Sequence, residues 1–439
     1  MNPTLAGILG VFIMLVLIMT RMPVAYVMTL VGWGGFSLMI STKGGLTLLS
    51  RSIYETFSSY GLTTIPLFIL MGQFAFNSGI GSRLYDTANK FFGSTRGGLA
   101  IATVTACTAF GAVCGSSPAT AATMATVGLP EMRRYNYADE LGAGTVASGG
   151  GLGMIMPPSV VLIVYGILTG ESIGALFVAG ILPALLITAL FILTVYIQCR
   201  LKPELGPKGK SYSIAEKLKA LAGLGDTALV FILVIGGLFA GLFTPTEAAA
   251  VGAFGVLAIS VVRRRLSGAA FVKALYETLR TSCMVMFLIA GATVFGKFLA
   301  VTRIPFDLAQ WVGGLDLPAV LILGVIILIY FLGGCIMDSL ALVMLTIPIF
   351  FPVVVEQLGY NAIWFGIIIV MVTEMGVITP PVGINVYVVY GVSKTVIPGG
   401  IALETIFKGI FPFLLAVLVG TLLMVIFPKI ITWLPELMY

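Results

Sequence analysis

Few residues in this chain are equipped for chemistry, and most of them lie inside apolar runs. There is no histidine, which removes the usual proton shuttle and the commonest metal ligand. What remains are hydroxyls, glycines and isolated carboxylates. Ser116, Ser117 and Thr120 follow Gly115, and Asp338 and Ser339 follow Gly333-Gly334-Cys335. Two further stretches combine glycine with a Pro-Pro pair: Gly149 to Tyr165 (GGGLGMIMPPSVVLIVY) and Glu374 to Tyr390 (EMGVITPPVGINVYVVY), their Pro-Pro pairs 223 residues apart. Proline removes a backbone donor and clashes with the preceding turn, so no helix passes Pro-Pro undisturbed. In lipid, the freed backbone groups survive only inside protein or beside a cavity. Matching breaks in two halves of a chain point to a transporter's binding site.

A broken helix offers two kinds of site. C-terminal halves present carbonyl oxygens, which suit Na⁺, and N-terminal halves present amides and a positive dipole end, which suit an anion. The cation candidates are Ser116 and Ser117 with carbonyls of Gly149, Gly150, Gly151 and Gly153, and, in the second set, Gly334, Asp338, Ser339, Gly376 and Thr379. The anion candidates are Ser117, Pro157, Pro158, Ser159, Pro380, Pro381 and Asn385. Each residue also has a plainer reading. A helical Ser or Thr bonds the carbonyl four residues back, a glycine lets helices pack closely, and Pro-Pro kinks. Repetition of the whole set favours function. Asp338 is the sharpest single residue. An unpaired carboxylate deep in a membrane marks an ion or proton path, and no Lys or Arg lies within eight residues of it. Its alternative is a protonated acid held in the core. Glu374, five residues before Thr379, either braces the break or joins the site. Glu247 in FTPTEAAAVG reads as a helix start behind Thr244 and Pro245.

The elements around these residues are spans. The 439 residues are 59% hydrophobic and 10% charged, with mean hydropathy +1.10, whereas soluble domains carry about 25% charge. Apolar runs of about 15 to 20 residues predict an all-α integral membrane protein rather than a barrel. The first run, Leu5–Met19, lacks a basic leader and a small-residue cleavage site, so it reads as a retained span. The five cysteines have no C-x-x-C spacing and read as small buried hydrophobes. The net charge of +6 belongs to loops and is no signal for nucleic acid.

Ordered matches at offsets of about 218 to 229 divide the chain into two repeats. The first, 1–200, has scaffold helices within 5–77, an interfacial helix 82–92, a re-entrant hairpin 97–128 tipped by Gly115-Ser116-Ser117-Pro118, a broken helix 138–168 and a helix 173–200. A polar, basic linker with a short surface helix covers 201–225. The second, 226–439, has scaffold helices within 226–300, a hairpin 318–354 with its tip at 333–339, a broken helix 362–392 and a helix 406–426. Five crossings per repeat make the second repeat inverted. On this topology only Lys43, Arg51, Lys297, Arg303 and Lys429 lie on one side, leaving 19 of the 24 basic residues on the other. Positive-inside makes that richer side cytoplasmic, so both termini are expected outside.

GSSPATAATMATVGLPEM, GLGMIMPPS, GLFTPTEAAAVG and ITPPVGIN, in this order, resemble the large membrane subunit of tripartite ATP-independent periplasmic (TRAP) transporters, over essentially the whole chain. The resemblance implies an elevator-type transporter of the bacterial inner membrane and not an enzyme. It implies a tight complex with a small four-helix membrane subunit, and a periplasmic binding protein that delivers a carboxylate such as a C4-dicarboxylate or sialic acid. It also implies coupling to Na⁺, about two ions with one per repeat, at Ser116, Ser117, the 149–153 glycines, Asp338 and Thr379. The alternative is a stand-alone anion/Na⁺ symporter of the same superfamily that needs no binding protein.

Overall fold

The computed structural model describes residues 2–20, 22–314 and 317–438. Arg21, one of the basic residues placed on the cytoplasmic side, lies outside them, as do Met1, Leu315, Asp316 and Tyr439. The described residues are helical and contain no strand. Among the described residues, seven helices are long and apolar enough to cross a membrane, or eight when the bent pair Thr42–Ser58 and Gly61–Asn77 counts as one span.

The first half runs through α1 (Pro3–Met19), α2 (Val24–Met39), α3 (Thr42–Ser58), α4 (Thr64–Asn77) and α5 (Ile80–Phe92). Then come α6 (Gly98–Cys114), α7 (Ser117–Arg134), α8 (Asp139–Gly150), the single turn α9 (Leu152–Ile155), α10 (Val160–Thr169) and α11 (Ile173–Leu201). The second half begins with α12 (Ile214–Phe231), which continues through a π-turn into α13 (Gly237–Phe239). It proceeds through α14 (Pro245–Val262), α15 (Gly268–Thr302), α16 (Ile304–Gly313), α17 (Ala319–Gly334) and α18 (Ser339–Phe351). It ends with α19 (Ala362–Ile378), α20 (Ile384–Val396), α21 (Leu403–Ile426) and α22 (Lys429–Glu436).

Caps explain several of these starts. Thr244 and Glu247 form a reciprocal capping box at α14, with Pro245 just inside the helix, which is the structural role expected of Glu247. Ser213 and Glu216 do the same for α12. That box lets the expected surface helix run straight into the span expected from Asp226, so the two are one helix, with Gly223 and Gly225 inside it. The short helices α16 and α22 were not anticipated. All five cysteines are free, and four are buried as expected, but Cys283 is exposed.

The layers differ in what they face. α1, α2, α14, α15 and α17 expose rows of leucine, isoleucine, valine and phenylalanine, as lipid-facing helices do. The Asp139–Thr169 segment is 83% buried in its apolar stretch, against 33% for Pro245–Val262. The interrupted helix is therefore shielded by protein, the condition under which broken backbone is tolerated at membrane depth. Near the end of α12, Asp226 is buried and meets Arg83 on α5 (3.7 Å), Arg263 (2.7 Å) and Arg265 (3.3 Å), the last two at the turn after α14. One carboxylate thus ties three elements together.

Candidate functional site

The first tip is built by glycine and capping chemistry. α6 ends at Gly115, which has φ +65° and packs its Cα on the Pro158 carbonyl, where any Cβ would collide. Only glycine meets both demands. Ser116 is the extended N-cap of α7, Ser117 opens that helix and Pro118 sits in its first turn. At the second tip α17 ends at Gly334, and Asp338 is the N-cap of α18, its carboxylate accepting from the Leu340 amide at 3.0 Å. The two N-caps, Ser116 and Asp338, occupy corresponding positions. The second turn, Cys335 to Asp338, is the longer one.

Both tips open onto one cavity of about 240 Å³. The first tip contributes Gly115, Ser116, Ser117, Pro118 and Ala119, and the second contributes Asp338, Ser339 and Leu340. Val160 and Val161 of α10, Gln73 and Phe76 of α4, and Thr281 and Met284 of α15 complete most of the wall. Helices α7 and α18 therefore present their N-termini to the same space; Asp338 already caps α18, whereas α7 has no side-chain cap, so its dipole favours an anion there. Buried hydroxyls of Ser339, on the wall, and Thr120, one turn into α7, have no hydrogen-bond partner. Oxygens of this kind, with carbonyls, are the ligands hard cations take.

The remaining expected residues lie behind this wall. Gly149, Gly150 and Gly153 are buried within helix, and buried Gly151 is the turn between α8 and α9, its amide donating to the Ser148 carbonyl at 3.0 Å and its carbonyl accepting from Met154 N at 2.9 Å. The interruption expected at Gly149–Pro158 begins at the Gly151 turn and is complete at Met156–Ser159, where Pro157 and Pro158 forbid helix. The glycines serve close packing: Gly150 meets Ala121, and Gly153 meets Thr120 and the Ser116 carbonyl. Gly334 and Gly376 pack against each other. Gly111 and Gly153, each 223 residues earlier, do the same. Pro157-Pro158 and Pro380-Pro381 are both cis, but the first pair is buried and the second exposed. Ser159 caps α10, accepting from Leu162 N at 3.5 Å. Thr379 donates to the Met375 carbonyl at 2.5 Å, the plainer of its two readings.

Asn385, expected to contact substrate, forms a cross-brace behind the wall in this structure. It is buried, and its amide donates to Ser117 Oγ at 2.7 Å and to the Ala147 carbonyl at 3.0 Å, using both protons. The brace joins the second interrupted helix to the first tip. Beside it lies Glu374, 2% exposed, with no hydrogen-bond partner for either carboxyl oxygen. Gln73 and Thr281 were missed. Gln73 is the one polar side chain in IPLFILMGQFAF, residues 65–76, and that isolation is the signal that could have found it.

The chain resembles known transporters throughout. Residues 11–430 match the family model "Tripartite ATP-independent periplasmic transporter, DctM component". Relatives include the C4-dicarboxylate TRAP transporter large permease protein of Pseudomonas aeruginosa, 36% identical over 406 residues, 92% of each chain. The sialic acid TRAP transporter large permease protein of Vibrio cholerae is 32% identical over 431 residues, 98% of each. The 2,3-diketo-L-gulonate TRAP transporter large permease protein of Escherichia coli is 32% identical over 387 residues, 88% of each. Among solved structures, the Alcanivorax borkumensis YdaH transporter superposes with a TM-score of 0.66 at 15% identity, covering 98% of both chains; that likeness concerns fold alone. An all-α, multi-pass membrane chain whose two helical tips meet at one cavity, with these relatives across nearly its whole length, is no enzyme: it belongs to the DctM family and is the large permease subunit of a TRAP transporter.

Proposed function

We propose that this subunit carries an organic carboxylate across the bacterial inner membrane together with Na⁺, after a periplasmic binding protein has delivered it. A small four-helix membrane subunit completes the permease in the lipid bilayer. The observation that carries this reading is the convergence of α7 and α18, with Asp338 between them, on one cavity. The helix N-termini attract the substrate carboxylate, and a cation at the tips balances Asp338.

About two Na⁺ ions, one per repeat, fit the pairs of broken helix and hairpin tip. The first ion would take oxygens of Ser116, Ser117 and Thr120 with carbonyls of the 149–153 segment. The second would take Asp338, Ser339 and carbonyls near Gly334 and Gly376, with the Thr379 oxygen as a further acceptor. Support comes from the buried hydroxyls of Thr120 and Ser339, which lack partners. The glycine pairs 111/153 and 334/376, at a common offset of 223, support two inverted repeats, 1–200 and 226–439, joined by 201–225. With the side richer in Lys and Arg taken as cytoplasmic, both termini lie in the periplasm. Hairpins and broken helices then move as one body against α1–α4 and α12–α15, as an elevator.

The test is uptake by proteoliposomes holding the permease and its binding protein. An inward Na⁺ gradient is expected to drive carboxylate accumulation, and an ionophore that collapses the gradient is expected to abolish it. Equal uptake with K⁺ on both sides would overturn Na⁺ coupling.

A further inference from the structure

The cavity also bears on what kind of carboxylate it takes, a point that rests on the carboxylate-import reading above. Its charged and polar groups are few. Among the described residues, no Lys or Arg lines it. The positive field comes from the N-terminus of α7 and from the cations that the reading above holds at the tips, because the Asp338 carboxylate already caps α18. The wall residues with side-chain polar atoms are Ser116, Ser117, Ser339, Gln73, Thr281 and Asp338, with Cys114 as a thiol. The Ser339 hydroxyl is 1% exposed, faces this wall and has no partner, an unfilled polar position in addition to the helix ends.

The rest of the wall is apolar and comes from both sides. Val160, Val161 and Leu340 stand on the tip side, and Ile69, Phe76 and Met284 on the side of α4 and α15. A ligand with one carboxylate at the helix ends would lay its body against these groups. A second carboxylate extending away from the tips would meet this apolar surface on α4 and α15, where no cationic side chain and no tip-bound cation receives it. Burying an unpaired charge is strongly unfavourable. A polyhydroxylated body would leave most of its hydroxyls unpaired in the same space.

We infer that the physiological substrate is a compact monocarboxylate with an apolar body, branched or aromatic, rather than a dicarboxylate or a sugar acid. Gln73 and Thr281, the polar groups that α4 and α15 place on the wall, set how much polarity that body tolerates.

The experiment uses the permease with its small subunit in lipid nanodiscs and reads protection against thermal unfolding, in NaCl and in KCl. The probes are isovalerate, phenylacetate, succinate and N-acetylneuraminate. In NaCl, isovalerate or phenylacetate is expected to protect at about tenfold lower concentration than succinate or N-acetylneuraminate. Gln73→Arg, which supplies the missing cation, is expected to bring succinate to within about threefold of the monocarboxylates. Succinate or N-acetylneuraminate protecting the wild type at equal or lower concentration than both monocarboxylates would overturn the inference and leave carboxylate import standing. The expected order of probes at the same protective concentrations in NaCl and KCl would keep the inference and remove Na⁺ coupling. Protection by none of the four acids in either salt would overturn both.

Discussion

The carboxyl group of Glu374 lies directly on the Cα of Gly151, and the two residues are 223 positions apart. That is also the separation of the two Pro-Pro pairs. A contact between residues at the repeat offset places both of them where the two halves meet. At this point the first half has glycine and the second a carboxyl group, so one side chain fills the space of two.

Gly151→Ala should therefore overpack the joint, because a Cβ there has only the Glu374 carboxyl to meet. The expected cost is about 1–3 kcal/mol, read as a lower melting temperature of the purified permease. Adding Glu374→Ala to Gly151→Ala should recover much of it. A Gly151→Ala protein as stable as wild type would show that the contact is loose.

Asn385 and Ser117 should be energetically coupled. A double-mutant cycle of Asn385→Ala and Ser117→Ala is expected to give an interaction of about 1 kcal/mol. Independent effects would mean that the 2.7 Å bond contributes nothing.

Much of the site was legible from single residues, and what was not depends on contacts between distant ones. Pro157 and Pro158 announce a break because proline acts locally, through its own ring and missing amide. The tip hydroxyls and Asp338 are conspicuous because polar groups in apolar runs are costly. Asn385 looks the same in sequence whether it faces a ligand or braces Ser117 and Ala147, and only the fold distinguishes these. The role of the 149–153 glycines is not legible in sequence, because glycine serves both helix packing and helix ends. The continuity of α12 past Asp226 follows from a cap at Ser213 and from Gly223 and Gly225 staying helical, a tertiary outcome. The second hairpin's Asp338 matches Ser116 by its place as N-cap, a correspondence that the longer turn at Cys335–Asp338 hides in the sequence.

Thr120→Val and Ser339→Ala remove buried hydroxyls that have no hydrogen-bond partner by geometry among the described residues. Each is expected to weaken apparent Na⁺ affinity about tenfold, roughly 1.4 kcal/mol, while leaving thermal stability unchanged or higher. Unaltered Na⁺ dependence of uptake in both would assign these hydroxyls to packing.

Asp226→Asn should loosen the junction of α5, α12 and the turn after α14 by leaving Arg83, Arg263 and Arg265 without their shared carboxylate. Arg263 and Arg265 are partly exposed and rehydrate, so the expected loss is about 1–3 kcal/mol, below that of a fully buried pair. Melting temperature measured at low and high salt checks it, and the wild type should lose more on adding salt than the variant.

The most direct test of Na⁺ coupling through the two tips is Na⁺-gradient-driven carboxylate uptake by wild type and Asp338→Asn in the same proteoliposomes. Asparagine keeps the N-cap of α18 and removes the charge. The expected result is a folded, assembled variant whose uptake no longer responds to the Na⁺ gradient. Uptake by Asp338→Asn with the wild-type Na⁺ dependence would contradict the central role given to this carboxylate.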